Sequence, residues 1–370
     1  MNRPINRPVN QPVNQPPFTV VLVVPTGIGA AIGGYAGDAL PVARAMAQVC
    51  DRLITHPNVL NGAQLYWPMI NVLYVEGYGL DQFAAGNWGL RPVGRNRIGL
   101  LLDAAIEPEL KLRHLQAADA ARATLGLTLT DYLVTDEPLG VQLQTAASGA
   151  TWGTIARPDS LLRGADALIE QAGAEAIAVV ARFPDDEGSA ALQDYRQGRG
   201  VDPLAGAEAV ISHLVVQHTG RPCAHAPALS PLPVDASISP RAAAEELGYT
   251  FLPCVLVGLS AAPQFITPLD GHLRATDLRA ADVDAVVVPA SACGGSATLS
   301  LGHAGATIIA VGENKTRMAV TPEAVGLPAV PVESYAAAIG VLAALRAGVD
   351  PASLRPYIPP LRPLSSLDQL

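Results

Sequence analysis

Short apolar runs alternate with longer amphipathic stretches along most of the chain. TVVLVVP (Thr19–Pro25) reads as a strand buried on both faces, because such strands carry continuous Val, Ile and Leu instead of alternating polar positions. A helix is expected from about Ala39 to Leu53, a strand over Asn96–Leu102, a helix over Glu107–Leu125 and a short strand over Asp131–Thr135. The same rhythm continues with a helix over Asp159–Ala172, a strand over Ala176–Ala181 and a helix over Leu204–Gln217. A short helix over Pro240–Leu247 is followed by an apolar run, Phe251–Val257, read as a strand. Ala285–Val288 and Thr307–Val311 are two further strands flanking Ser296–His303, and Ser334–Ala347 is the last helix.

Strands that alternate with helices predict an α/β fold: mainly parallel sheets with flanking helices, organised as two Rossmann-like halves. A chain of 370 residues exceeds the roughly 250–300 at which single cores stop growing, which favours two units. The expected division is a disordered tail over 1–17, an N-terminal half over 18–150, a C-terminal half over 151–350 and a Pro-rich arm over 351–370. The tail repeats Asn, Arg or Gln and Pro, and has little to bury.

Net charge is −9, so no basic footprint suits nucleic acid, and anionic membrane surfaces are disfavoured for the same reason. Cys50, Cys223, Cys254 and Cys293 are widely spaced, as reduced thiols would be. The N-terminal segment lacks the apolar core of a signal peptide, and no run reaches the roughly 18–20 apolar residues of a membrane span. These features together predict a cytoplasmic protein. Homo-oligomerisation is left open.

In open parallel sheets ligands bind beyond the carboxyl ends of the strands, so the residues after each expected strand are the functional candidates. The first exit holds Gly27, Gly29, Gly33, Gly34 and Asp38, whose glycines let backbone amides approach an anion. The spacing departs from a dinucleotide fingerprint, and a tight packing turn is the competing reading. Asp136 and Glu137 follow another strand. Arg182, Asp185, Asp186 and Glu187 form an acidic exit whose adjacent carboxylates could raise one another's pKa; an exposed acidic turn is the plainer alternative. Cys293 precedes Gly294, Gly295 and Ser296 at an expected helix start, where a thiol's pKa can fall, although free cysteines are also frequent in cores. Glu313, Asn314 and Lys315 leave the Thr307–Val311 strand, with Lys315 a scarce lysine suited to an anion.

Cys293, Asp185 and Asp186 are thus the acid/base candidates, and the glycines, Asp38, Asp136, Arg182, Ser296, Glu313, Asn314 and Lys315 the ligand-binding ones. His213, His218, Cys223 and His225 lie close together but lack zinc spacing, so no metal site is expected. His56 reads as a turn residue. No cofactor is identified by any motif.

The segments VPTGIGAAIGGYAGDALPVARA, ITHPNVLNGAQLYWP, YLVTDEPLGV, AVVARFPDDEG, CAHAPALSPLP and GATIIAVGENKT resemble a family of cyanobacterial and plant plastid proteins known only as a domain of unknown function. The resemblance spans about residues 18–360. It implies a cyanobacterial source and carries no activity to transfer. A looser likeness links Cys293–Asn314 and Gly33–Ala45 to GT-B glycosyltransferases, which implies a nucleotide-sugar enzyme. The leading expectation is an enzyme acting on a small anionic or phosphorylated molecule; the alternative is a non-catalytic ligand-binding or assembly protein.

Overall fold

Parallel pairing of strands from the two ends of the chain dominates the computed structural model, which describes residues 16–61, 67–185, 188–246, 252–267 and 272–361. The strands are β1 (Thr19–Leu22), β2 (Arg52–Thr55), β3 (Val72–Tyr74), β4 (Gly89–Arg91), β5 (Ile98–Leu102), β6 (Leu129–Val134) and β7 (Val141–Thr145). They continue with β8 (Thr151–Ile155), β9 (Ala176–Arg182), β10 (Cys223–Ala228), β11 (Gln264–Ile266), β12 (Ala285–Pro289), β13 (Thr307–Val311) and β14 (Ala329–Val332).

Six of them form a parallel sheet in the order β14-β13-β12-β1-β2-β3, with Val20, Val21 and Leu22 opposite Ala285, Val286 and Val287. A second parallel sheet has the order β10-β9-β5-β6. The fold is α/β, as expected. The sheets, however, are not assembled from consecutive halves: the larger one takes three strands from each end of the chain, and the smaller one is made from the middle. The expected boundary near residue 150 falls inside an antiparallel hairpin, β7–β8.

Successive residues point to opposite faces, and both faces are covered. Val20, Leu22, Leu53 and Val72 share one core with Ile98, Leu100 and Leu102; Val21, Ile54 and Leu73 share the other with Leu101, Ile177 and Val179. Burial on both sides explains why these strands read as unbroken apolar runs.

Several helices lie where the pattern places them: Pro108–Leu125, Pro158–Ala172, Ala205–Thr219 and Tyr335–Arg346. Two expectations fail. The first expected helix stops at Met46, and Arg52–Thr55 is the strand β2. Of the apolar run read as a strand, Phe251 lies outside the described residues and the remainder is a helix, Leu252–Ser260. That helix is buried along most of its length, so it shows no polar stripe from which a 3.6-residue period could be read. Gly258 lets it close on Tyr74, where a Cβ would come within 2.5 Å of the ring. Of the expected tail, residues 1–15 lie outside the described residues, as do 362–370 of the arm.

The helix Ala205–Thr219 is seated on the β7–β8 hairpin through Gly206, where a Cβ would stand 2.3 Å from the Thr151 carbonyl oxygen and 2.3 Å from the Trp152 Cα. Backbone cannot swing aside as a side chain can. Gly206→Ala is expected to destabilise the fold by about 1–3 kcal/mol, read as a lower urea midpoint with an unchanged slope.

Candidate functional site

The larger sheet reverses its strand order between β1 and β12, and at such a reversal the two connections leave in opposite directions and open a crevice at the carboxyl edge. A cavity of about 340 Å³ lies there. Its walls come from the exits of β1, β2 and β3, from the turn and helix after β12, from β10, and from the helix Ala205–Thr219.

His56 follows β2 directly. It is 8% exposed, and its Nε2 accepts a hydrogen bond from the Val24 N–H at 3.1 Å. That bond requires an unprotonated Nε2 and leaves the proton on Nδ1. Burial, offset only in part by this bond, pushes the imidazole pKa down to about 4, so the ring is neutral near pH 7.

Glu76 follows β3 and caps the helix Gly77–Ala84, accepting from the N–H groups of Tyr78 at 2.8 Å and Gly79 at 3.2 Å through Oε2. It is 3% exposed. Its Oε1 abuts Nδ1 of His213, whose ring is half-exposed toward the cavity. The two atoms are in ion-pair contact without ideal hydrogen-bond directionality. Burial works against a charged His213, but the Glu76 carboxylate, aided by Asp81, outweighs it and raises the pKa above the ordinary imidazole value. Gly77 leaves room for the ring, since a Cβ there would lie 2.8 Å from Cε1.

Further along the wall, His225 of β10 faces Ser212 Oγ at 3.3 Å and Glu208 at 3.8 Å. Glu245 accepts from the Tyr195 hydroxyl at 2.5 Å and from the Ala36 N–H at 3.3 Å; burial, opposed by the tyrosine bond and reinforced by Glu208, raises its pKa to about 7. Asp81 accepts from the Ala297 N–H at 2.9 Å and so closes one donor of the helix Ser296–His303.

Of the expected site residues, Gly295 and Ser296 line this cavity. The other described ones are not in its lining. Gly29 has φ +62° and packs against Val201, Gly200 and Arg317, while a Cβ at Gly34 would stand 2.2 Å from the Ala30 carbonyl oxygen. Gly27 and Gly33 likewise take positive φ values against Thr151 and Val24. Several amides of the loop are already bound: Ala31 N–H to the Lys315 carbonyl, Ile32 N–H to Asn314 and Gly33 N–H to Asp38. Much of the loop thus meets the competing description, a tight packing turn.

Asn314 is a clip, bonded to both backbone groups of Ile32 and to the Tyr335 hydroxyl. Glu313 accepts from the Tyr335 N–H, and the Lys315 side chain is exposed outside the cavity lining. Gly294 packs on Val320.

The expected acid/base groups are also reassigned. Cys293 is fully buried, and burial, with Glu323 nearby, pushes its thiol up to about 11, opposite to a thiolate activated at a helix start. Asp185 is held well below the usual carboxylate range by Arg182 and by Ser230, while Arg182 is clamped between Asp185 and Glu107. A carboxylate so paired is a poor proton shuttle. Asp186 lies outside the described residues. Asp136 pairs with Arg163 and Ser160 on the surface. Asp185, Cys293 and Lys315, at the exits after β9, β12 and β13, are not in the lining of this cavity.

Glu76, Asp81, Glu208, His213 and Glu245 were not among the expected residues. Glu76 had a usable signal, because Val72-Leu-Tyr-Val75 is an apolar run and Glu76 stands at its exit. No group of three or more metal-ligating side chains suited to an ion occurs among the described residues.

A family described as "Protein of unknown function (DUF3326)" matches residues 19–355. The chain belongs to that family. An uncharacterized lipoprotein of Synechococcus sp. (strain ATCC 27144 / PCC 6301 / SAUG 1402/1) is 63% identical to this DUF3326 chain over 338 residues, covering 91% of this chain and 93% of the relative. The cyanobacterial family implied by the sequence segments is therefore shown. No solved structure matches. The relative's name overturns the cytoplasmic expectation, since a lipoprotein is attached to a membrane. Among the described residues no helix is long and apolar enough to cross one.

Two outcomes are expected. The unfolded chain takes up a proton at His56 near its ordinary value of 6.5, but the fold resists until about pH 4. Stability from this site is therefore present above pH 6.5 and falls by about 3 kcal/mol between 6.5 and 4. Urea unfolding across that range should show the loss, and His56→Asn should flatten it. Cys293 should react with iodoacetamide at neutral pH no faster than Cys254, as peptide mapping by mass spectrometry would show.

Proposed function

We propose that this DUF3326 protein binds a small molecule in the cleft at the β1/β12 reversal and moves a proton on it through His213. The observation that carries the reading is the Glu76–His213 pair. Glu76 is anchored by two backbone N–H groups and turned toward one imidazole nitrogen, which leaves the other nitrogen for chemistry. A buried carboxylate that orients a histidine fixes its tautomer and stabilises the ring when it takes a proton. The Glu76 carboxylate favours the protonated ring and raises its pKa above the ordinary imidazole value, which suits a group that takes up and returns a proton.

The ligand expected from the sequence was anionic. The cavity lining contains no lysine or arginine among the described residues, while carboxylates line several sides. The lining therefore favours a polar molecule that is neutral or cationic over a phosphate ester.

The test has two readouts. In NMR titrations of histidine-labelled protein, His213 should titrate above the ordinary imidazole midpoint, and Glu76→Gln should lower that midpoint. A small-molecule extract incubated with the protein in D₂O should contain at least one compound that gains deuterium or changes mass with the parent and not with His213→Asn. Identical extracts from the two would overturn the catalytic reading.

A further inference from the structure

We infer that the cleft is built for a small molecule with a protonated amine at one end and a hydrogen-bond acceptor, a carboxylate or carbonyl, at the other. This rests on the reading of the cleft as the functional site and narrows its substrate class.

Carboxylates short of donors among the described residues line part of the cavity. Asp81 is occupied by the Ala297 N–H, and Glu76 by two N–H groups and His213. Glu208 and Glu245 remain. The nearest basic nitrogen to Glu208 is His225 Nε2 at 3.8 Å, too far for a hydrogen bond. Among the described residues Glu245 holds only the Tyr195 hydroxyl and the Ala36 N–H, both on Oε2. Behind them Asp202, 8% exposed, accepts the Leu204 N–H. The arginines of this region are committed elsewhere, Arg241 to Asp38 and Arg196 to Glu246. These three carboxylates interact, no lysine or arginine among the described residues pairs with them, and burial with mutual repulsion raises the pKa of both Asp202 and Glu245. An ammonium group placed between Glu208 and Glu245 relieves that repulsion and supplies the missing donors.

Donors without an acceptor among the described residues lie at the exit of β2. His56 spends Nε2 on Val24, and its protonated Nδ1 has no acceptor among the described residues. Asn61, also 8% exposed, accepts from the Tyr74 hydroxyl through Oδ1, and its Nδ2 has no acceptor among the described residues. Both residues line the cavity. An acceptor carried by the occupant would satisfy these donors. Gly295 and Ser296, at the positive end of an eight-residue helix, border the same cavity and favour the same polarity. A cavity lined by both such acceptors and such donors selects a dipolar molecule over a simple anion or a simple amine.

The probes are ω-amino acids of three to six carbons, each compared with the alkylamine and the alkyl carboxylate of equal length. Binding is followed by histidine ring NMR. At least one ω-amino acid is expected to bind with a Kd of about 1 mM or tighter and at least tenfold tighter than either monofunctional analogue, with shifts at His56. The Glu208→Gln/Glu245→Gln double variant, which removes repelling charges and so should fold, is expected to lose at least tenfold of that affinity. Carboxylates that bind as well as the amino acids, an affinity unchanged in the double variant, or no binding by any probe would overturn the inference. The His213 midpoint and the deuterium exchange do not depend on these probes, so the two readings fail separately.

Discussion

Everything in this molecule hangs on the parallel contact between β1 and β12, strands more than 250 residues apart in sequence. Their side chains are fully buried, and the reversal of strand order falls between them. Because β1 runs next to β12 in register, the turn after one and the helix after the other are forced to diverge, and the space they vacate is the cleft. Asn314 fastens the glycine-rich turn to the exit of β13, and Thr151 bonds through its N–H to Gly27, so the walls are fixed from two directions. The glycine loop is therefore a structural part of the site's frame, with much of its hydrogen bonding turned inward.

Within that frame, chemistry is set by which polar groups the fold leaves unsatisfied. Arg182, Asp185, Glu107 and Ser230 satisfy one another at the exit of β9 and have little left to offer. The cleft groups differ. His213 has one nitrogen engaged by Glu76 and His56 has one engaged by Val24, and neither has a second partner among the described residues. The two rings are shifted in opposite directions. Burial without a countercharge keeps His56 neutral, whereas a carboxylate in contact favours the protonated form of His213.

Local pattern carried the identity of most helices and of the long central strands, because a buried parallel strand and an amphipathic helix differ in short-range periodicity. Thr19–Leu22, Ala176–Arg182 and Thr307–Val311 were legible for that reason. The joining of chain ends was not, since nothing in a seven-residue window records its partner 265 residues away. Strands of three or four residues such as Val72–Tyr74 and Ala329–Val332 were too short to register, and with Val72–Tyr74 went the exit that carries Glu76. Cys223–Ala228 contains Pro227, a residue that argues against a central strand; it is tolerated because β10 is an edge strand. Of the residues singled out at strand exits, Gly295 and Ser296 line the cleft, while Cys293 is buried, Asp185 is ion-paired and Lys315 is exposed.

The order of synthesis acquires meaning from this topology. The four-stranded sheet is complete in sequence once residue 228 has left the ribosome, whereas β1, made first, has no β12 beside it until residue 285 follows. At elongation rates of about 5–20 residues per second, the central edge of the larger sheet stays open for tens of seconds. An apolar parallel edge left open that long is a template for wrong pairing. A nascent chain must therefore keep its first strands shielded, by a transient partner or by the middle sheet, until the last quarter of the protein arrives to finish what the first residues began.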